Sequence, residues 1–108
     1  MKVAIIISFI GDIQSLRETL ITFSKLKVPK HIHITILVKT TPKFFVSVKL
    51  LESDLDFTND FRIVSRNDQS IYEAWNQAIP YCKNCDYITF WGAGDLVQQG
   101  FITKLKQI

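Results

Sequence analysis

Long apolar runs are missing from this chain: its longest, around Val3 to Ile7, falls far short of the roughly 20 residues that cross a bilayer. Nor does a secretory leader show, because Lys2 precedes only a brief apolar stretch before Gly11 and Asp12, with no small-residue cleavage pattern after it. Blocks of like charge are also absent; the net charge is +3 and the lysines are scattered, which excludes the massed basic footprint of a nucleic-acid binder. A weakly basic surface still suits diphosphates, or peripheral association with an anionic membrane. Internal repeats, low-complexity segments and linker-like stretches do not occur. The expectation is therefore one soluble domain over residues 1–108, cytoplasmic, with the inner face of a membrane as a compatible location.

Cysteine is scarce. Cys82 and Cys85 form a C-x-x-C pair, but the only further ligands of the right type for zinc are His31 and His33, far upstream in a strand-like stretch. The pair also sits before a strand, not at the strand-to-helix junction of a thioredoxin-like centre, so ordinary reduced thiols are expected. The phosphate cradles are missing as well: no G-x-G-x-x-G follows the first strand and no G-x-x-x-x-G-K-[ST] occurs anywhere.

What is present is a regular alternation. Lys2 to Phe9, Ile32 to Val38, Phe61 to Val64 and Tyr87 to Trp91 read as short, largely buried strands. Between them, Ile13 to Lys27 carries Leu16, Leu20, Phe23 and Leu26 at helical spacing, with Ser15 and Glu18 as an S-x-x-E helix start. Phe44 to Leu51 mixes strand propensity with a helical face and is read as helix. Ser70 and Glu73 open a third helix with Ile71, Trp75, Ala78 and Ile79 on its apolar face, limited by Pro80, and Leu96 to Ile108 is read as a fourth. Strand and helix alternating at this interval specify crossover units, hence a mainly parallel α/β sheet with helices against it.

In such a sheet the loops leaving the C-terminal strand ends share one rim, where ligands bind. Three of these loops carry an acid: Asp12, Asp68 and Asp95. Converging carboxylates repel unless a cation lies between them, and their oxygens suit Mg²⁺ or Mn²⁺. Each acid also has a simpler role, since Asp is a favoured N-cap and a helix follows each loop. Gly92 and Gly94 beside Asp95 permit a close backbone approach to a ligand. Tyr72 and Asn76, four apart on the third helix, either face that ligand or brace the helix in solvent. Trp75 and Trp91 read as core.

The run Asp68-Gln69-Ser70-Ile71-Tyr72-Glu73-Ala74-Trp75-Asn76-Gln77-Ala78-Ile79, followed by Tyr87-Ile88-Thr89-Phe90-Trp91-Gly92-Ala93-Gly94-Asp95, resembles the inverting family 2 glycosyltransferases of GT-A fold. Their pattern there is approximately D-x-G-I-Y-D-A-M-N-K-G-I, a short gap, then Y-I-x-F-L-x-x-x-D. Leu16 to Leu20 is similar, more loosely, to the family's opening helix. The resemblance implies a Rossmann-like, three-layer GT-A half-domain with strand order 3-2-1-4 and helices on both faces. It implies a nucleotide-sugar donor across the strand ends, a saccharide or lipid-linked acceptor, and Asp95 as ligand to the metal that neutralises the leaving diphosphate. Ser8, Phe9, Ile10 and Gly11 would border the nucleoside, and Asp68 would line the same pocket. The chain departs from the pattern at Lys39, where the family carries a base-reading Asp, at Gly94, where another acid is frequent, and at Ser70, where the family has Gly. The family's acceptor half, which supplies the general base, has no counterpart here, so no catalytic residue is nominated. The rival expectation is a non-catalytic module that keeps the fold to bind a nucleotide or a protein; a small phosphate-binding α/β domain matching by chance is a third.

Overall fold

The computed structural model describes residues 1–9, 11–25, 27–55 and 60–94. Ile10, Asp95 and the helix expected from Leu96 to Ile108 lie outside the described residues. Four parallel strands, β1 (Lys2–Ser8), β2 (His33–Thr40), β3 (Asp60–Ser65) and β4 (Tyr87–Gly92), form one sheet in the order β3-β2-β1-β4. The central strands β1 and β2 are the two with continuous apolar runs. Val3 to Ile7 and Ile36 to Val38 are almost completely buried, each fully buried aliphatic side chain contributing about 1.5–3 kcal/mol.

Between the strands come α1 (Ile13–Ser24), α2 (Phe45–Asp54, entered through a 3-10 turn at Pro42–Phe44) and α3 (Ile71–Ala78, tightening into a 3-10 turn at Ile79–Cys82). Strand alternation sorts the core into two clusters. Val3, Ile5, Ile7, Ile34, Ile36 and Val38 meet Leu16, Leu20 and Phe23 of α1 and Val48 and Leu51 of α2. On the opposite face Ala4, Ile6, Leu37 and Val64 meet Ala78 and Cys82, with Trp75 packed against them. Among the described residues helices therefore cover both faces, two on one and one on the other.

Some boundaries differ from the sequence reading. Helix α1 is capped by Asp12, whose carboxylate accepts the Gln14 and Ser15 N–H groups and the Ser15 hydroxyl at 2.7 Å, so Ser15 is inside the helix, not its cap. The helix stops at Ser24, before Lys27, where the Lys25 N–H turns to the Thr22 carbonyl in a 3-10 step. In α3 the expected cap holds: the Ser70 hydroxyl accepts the Glu73 N–H, while the Glu73 carboxylate takes the Gln69 N–H. The ambiguous segment after Pro42 is helical. No helix among the described residues is long and apolar enough to cross a membrane.

Candidate functional site

At the C-terminal ends of β1, β2 and β3 a cleft of about 470 Å³ opens, lined by Ser8, Phe9, Lys39, Thr41, Phe44, Asp68, Gln69, Ser70 and Ala74. Its position follows from topology, because loops leaving parallel strands converge on one rim. Its two walls follow from strand alternation. Ser8 continues the row Ala4–Ile6 and Lys39 continues from Leu37, so both rise from the α3 face, whereas Phe9 belongs with the α1/α2 core. Phe9 and Phe44 meet edge-to-face with centroids 5.3 Å apart and make the apolar wall.

Lys39 and Asp68 are the electrostatic centre. The Lys39 side chain is wholly buried, and its Nζ donates to the Asp68 carboxylate at 2.7 Å, the Arg66 carbonyl at 2.7 Å and the Thr40 carbonyl at 3.1 Å. Three acceptors use all three hydrogens of an ammonium group. Lys39 thus touches the cleft but has no donor left for a ligand. Asp68 keeps an acceptor: one oxygen holds Lys39, the side chain is 22% exposed, and its other oxygen takes no hydrogen bond among the described residues. Asp68 is therefore not a helix cap; Ser70 fills that role.

Ser8 adds a second polar contact. It is only 7% exposed, yet its hydroxyl has no hydrogen-bond partner among the described residues, which is costly for a buried polar group unless a ligand or water completes it. A buried hydroxyl and an anchored carboxylate facing an apolar wall can hold a flat, partly polar ring that offers N–H or O–H donors.

The remaining nominated residues fall around this cleft. Gly11 adopts φ +124°, and a Cβ there would lie 3.1 Å from the Phe44 ring, so glycine lets the loop after β1 pass behind the apolar wall. Gly94 adopts φ +102° and donates its N–H to the buried Thr19 hydroxyl at 2.8 Å, which ties the loop after β4 to α1. Tyr72 is 71% exposed, its ring edge-to-face with Trp75, and Asn76 is exposed beside it; neither lines the cleft. Trp91 packs on Phe23 in the larger core. Thr41, Phe44, Gln69, Ser70 and Ala74 line the cleft without having been nominated for it; Phe44 was legible as an aromatic just past a strand-ending proline, Ser70 was read as a helix start, and the others carried no distinguishing signal.

Of the rim acids, Asp12 is committed to its cap, and the Ser15 hydroxyl with the Ser15 and Gln14 N–H groups holds its carboxyl below the usual carboxylate range. Asp68 is committed to Lys39. Among the described residues no group of three or more His, Cys, Asp or Glu side chains could hold a metal ion. The cysteines carry free thiols, and burial pushes the Cys82 thiol up, the neighbouring Cys85 adding to the shift and Arg62 opposing it. Comparison with known proteins supplies no relative: no family model, no curated protein and no solved structure matches this chain.

Proposed function

We propose that this domain binds a nucleoside-diphosphate sugar at the C-terminal rim of its sheet, as the donor-binding part of a family 2-like, GT-A-type glycosyltransferase would. The observation that carries the reading is the cleft itself: an apolar wall of Phe9 and Phe44 faces the unpartnered Ser8 hydroxyl and the free oxygen of Asp68. A nucleobase offers the matching chemistry, a planar ring with N–H donors at one edge. Asp12 and Asp68 are both committed, so a divalent ion, Mg²⁺ or Mn²⁺, would rest on Asp95 and on the diphosphate oxygens. Such an ion supplies charge neutralisation for the leaving diphosphate. The chain's own residues bind and orient the donor, and the acceptor and the general base remain outside the proposal.

The Lys39–Asp68 pair favours a second reading. A buried, charge-compensated lysine stands where a base-reading acid is expected, which suits a non-catalytic module that keeps nucleotide binding or presents the fold to a protein. Thermal melting with nucleoside diphosphates, with and without Mn²⁺, separates the readings. Ligand at about 100 times its Kd stabilises the fold by about 2.7 kcal/mol. The donor reading expects a raised Tm with nucleotide and metal together, loss of the metal-dependent part in Asp95→Ala, and loss of the nucleotide-dependent part in Ser8→Ala. Nucleotide binding indifferent to metal favours the module; no shift with any nucleotide sinks both nucleotide readings.

A further inference from the structure

The two edges of the sheet are protected differently. The β3 edge carries Asp60 and Arg62, the charged side chains with which edge strands discourage pairing. The β4 edge, Tyr87-Ile88-Thr89-Phe90-Trp91-Gly92, has neither a charge nor a proline. Register places Ile88 and Phe90 beside Ala4 and Ile6 on the α3 face, where they remain 36% and 41% exposed. The Phe90 ring stacks at 4.6 Å on Trp75, which in turn meets Tyr72, so an uncharged aromatic step runs from the strand up the side of α3, with Ile79 also exposed. Taking each side chain as about 150–250 Å², these fractions leave roughly 300–450 Å² of surface in one patch. A patch of that size marks an interaction site on a small protein.

We propose that the occupant of this edge is a second copy of the chain, paired antiparallel along β4 across a two-fold axis perpendicular to the sheet. The odd residues of β1 spend their backbone groups on β2 (His33 N–H to the Met1 carbonyl, Phe9 N–H to the Lys39 carbonyl), so its even residues face β4. The register, continued by the Ala93 N–H on the Ser8 carbonyl, turns the amides of Tyr87, Thr89 and Trp91 toward β1 and those of Ile88 and Phe90 to the outer edge. Centring the axis on Thr89 sets Thr89 against Thr89 and Ile88 against Phe90 of the second copy. Thr–Thr and aromatic–β-branched pairs are among the favourable cross-strand combinations. The axis keeps like faces together, so the Ile88–Phe90 strips merge into one floor between two α3 helices. Self-pairing brings no like charges together within the strand. With roughly 600–900 Å² from two copies the interface falls below the size of a stable specific contact, so the dimer is weak and dissociates on dilution. The surface lies apart from the cleft, and the inference does not depend on the proposed function.

Sedimentation velocity on the full chain from about 1 to about 200 µM tests it, the dimer being expected in the upper part of that range. Two variants accompany it. Ile88→Pro removes an outward N–H while sparing the bonds to β1, and Phe90→Lys places a charge in the merged floor. Each raises the dissociation constant at least tenfold, with circular dichroism confirming the fold. Hydrogen exchange reads the Phe90 amide: it is protected at high concentration and exchanges freely on dilution. A wild-type chain that stays monomeric throughout overturns the proposal. In that case a protected Phe90 amide gives the edge to another segment of the same chain, and an unprotected one leaves it to a different protein. A dimer unchanged in both folded variants overturns it equally, and if one variant fails to fold the other decides.

Discussion

The two faces of the sheet are built from the same strands and finished differently. On the α1/α2 side every inward residue of β1 is apolar and two helices close over it, Phe23 reaching Trp91 at the far strand. On the α3 side one short helix covers the middle. The row ends in Ser8 and Lys39 at the rim, and the β4 strip is left half-exposed at the edge. The first face supplies stability. Among the described residues the second carries the polar groups of the cleft, Ser8 and Lys39, and the exposed β4 strip, because covering there is incomplete. Local openness of this kind belongs to the low-stability end of a fold.

Substitutions on each side should therefore differ in size and kind. The largest expected effect is Phe23→Ala, about 3–5 kcal/mol by chemical denaturation, as for other fully buried aromatics. Next is Asp68→Ala, which leaves the Lys39 charge buried without its counter-ion and costs about 3 kcal/mol while also removing the free acceptor of the cleft. Asp68→Asn, which keeps an oxygen for Nζ, should recover part of that loss, and a neutral result for Asp68→Ala would show that the carbonyls of Thr40 and Arg66 hold Lys39 unaided. Gly11→Ala follows at about 1–3 kcal/mol, from a backbone angle that L-residues avoid and from contact with Phe44. Phe90→Ala on the open face should cost only about 1 kcal/mol in the monomer, its ring being partly in water already. A Phe90 loss as large as that of Phe23 would break the contrast between the faces.

The smallest effect is a pH dependence at Asp12. Its carboxyl is held below the ordinary range in the folded chain, so its contribution is present above the unfolded carboxylate value and fades as pH falls through the depressed folded one. Asp12→Asn keeps an acceptor at the cap, so its acid-unfolding curve should be flatter below pH of about 4 while stability at neutral pH stays close to wild type. An unchanged acid limb would mean that the cap survives in the unfolded chain.

The architecture was legible because its signals are local. Strand–helix alternation and the β-branched runs of β1 and β2 specify a parallel sheet from composition alone, and the strand order 3-2-1-4, implied by the resemblance, is the one observed. Caps were half legible. Two S-x-x-E patterns look alike in sequence, and each follows a competing acid, but Asp12 caps its helix in place of Ser15 whereas Asp68 is held by Lys39 and leaves the cap to Ser70. The site was less legible because its centre is a contact between residues 29 positions apart, Lys39 and Asp68. Read one at a time, Lys39 was a departure from a pattern and Asp68 an acid in a loop. Nor does any local signal tell that the Ser8 hydroxyl would be left unpartnered, since that depends on what Lys39 and the loop after β3 do above it.

Burial of Lys39 also gives the molecule a built-in reporter. Acylating reagents modify amines that water can reach, and this one is sheathed by two carbonyls and a carboxylate, so it should be the last lysine labelled. The rate at which it reacts, read by mass spectrometry after digestion, is then a measure of how frequently the ground beneath the cleft comes apart.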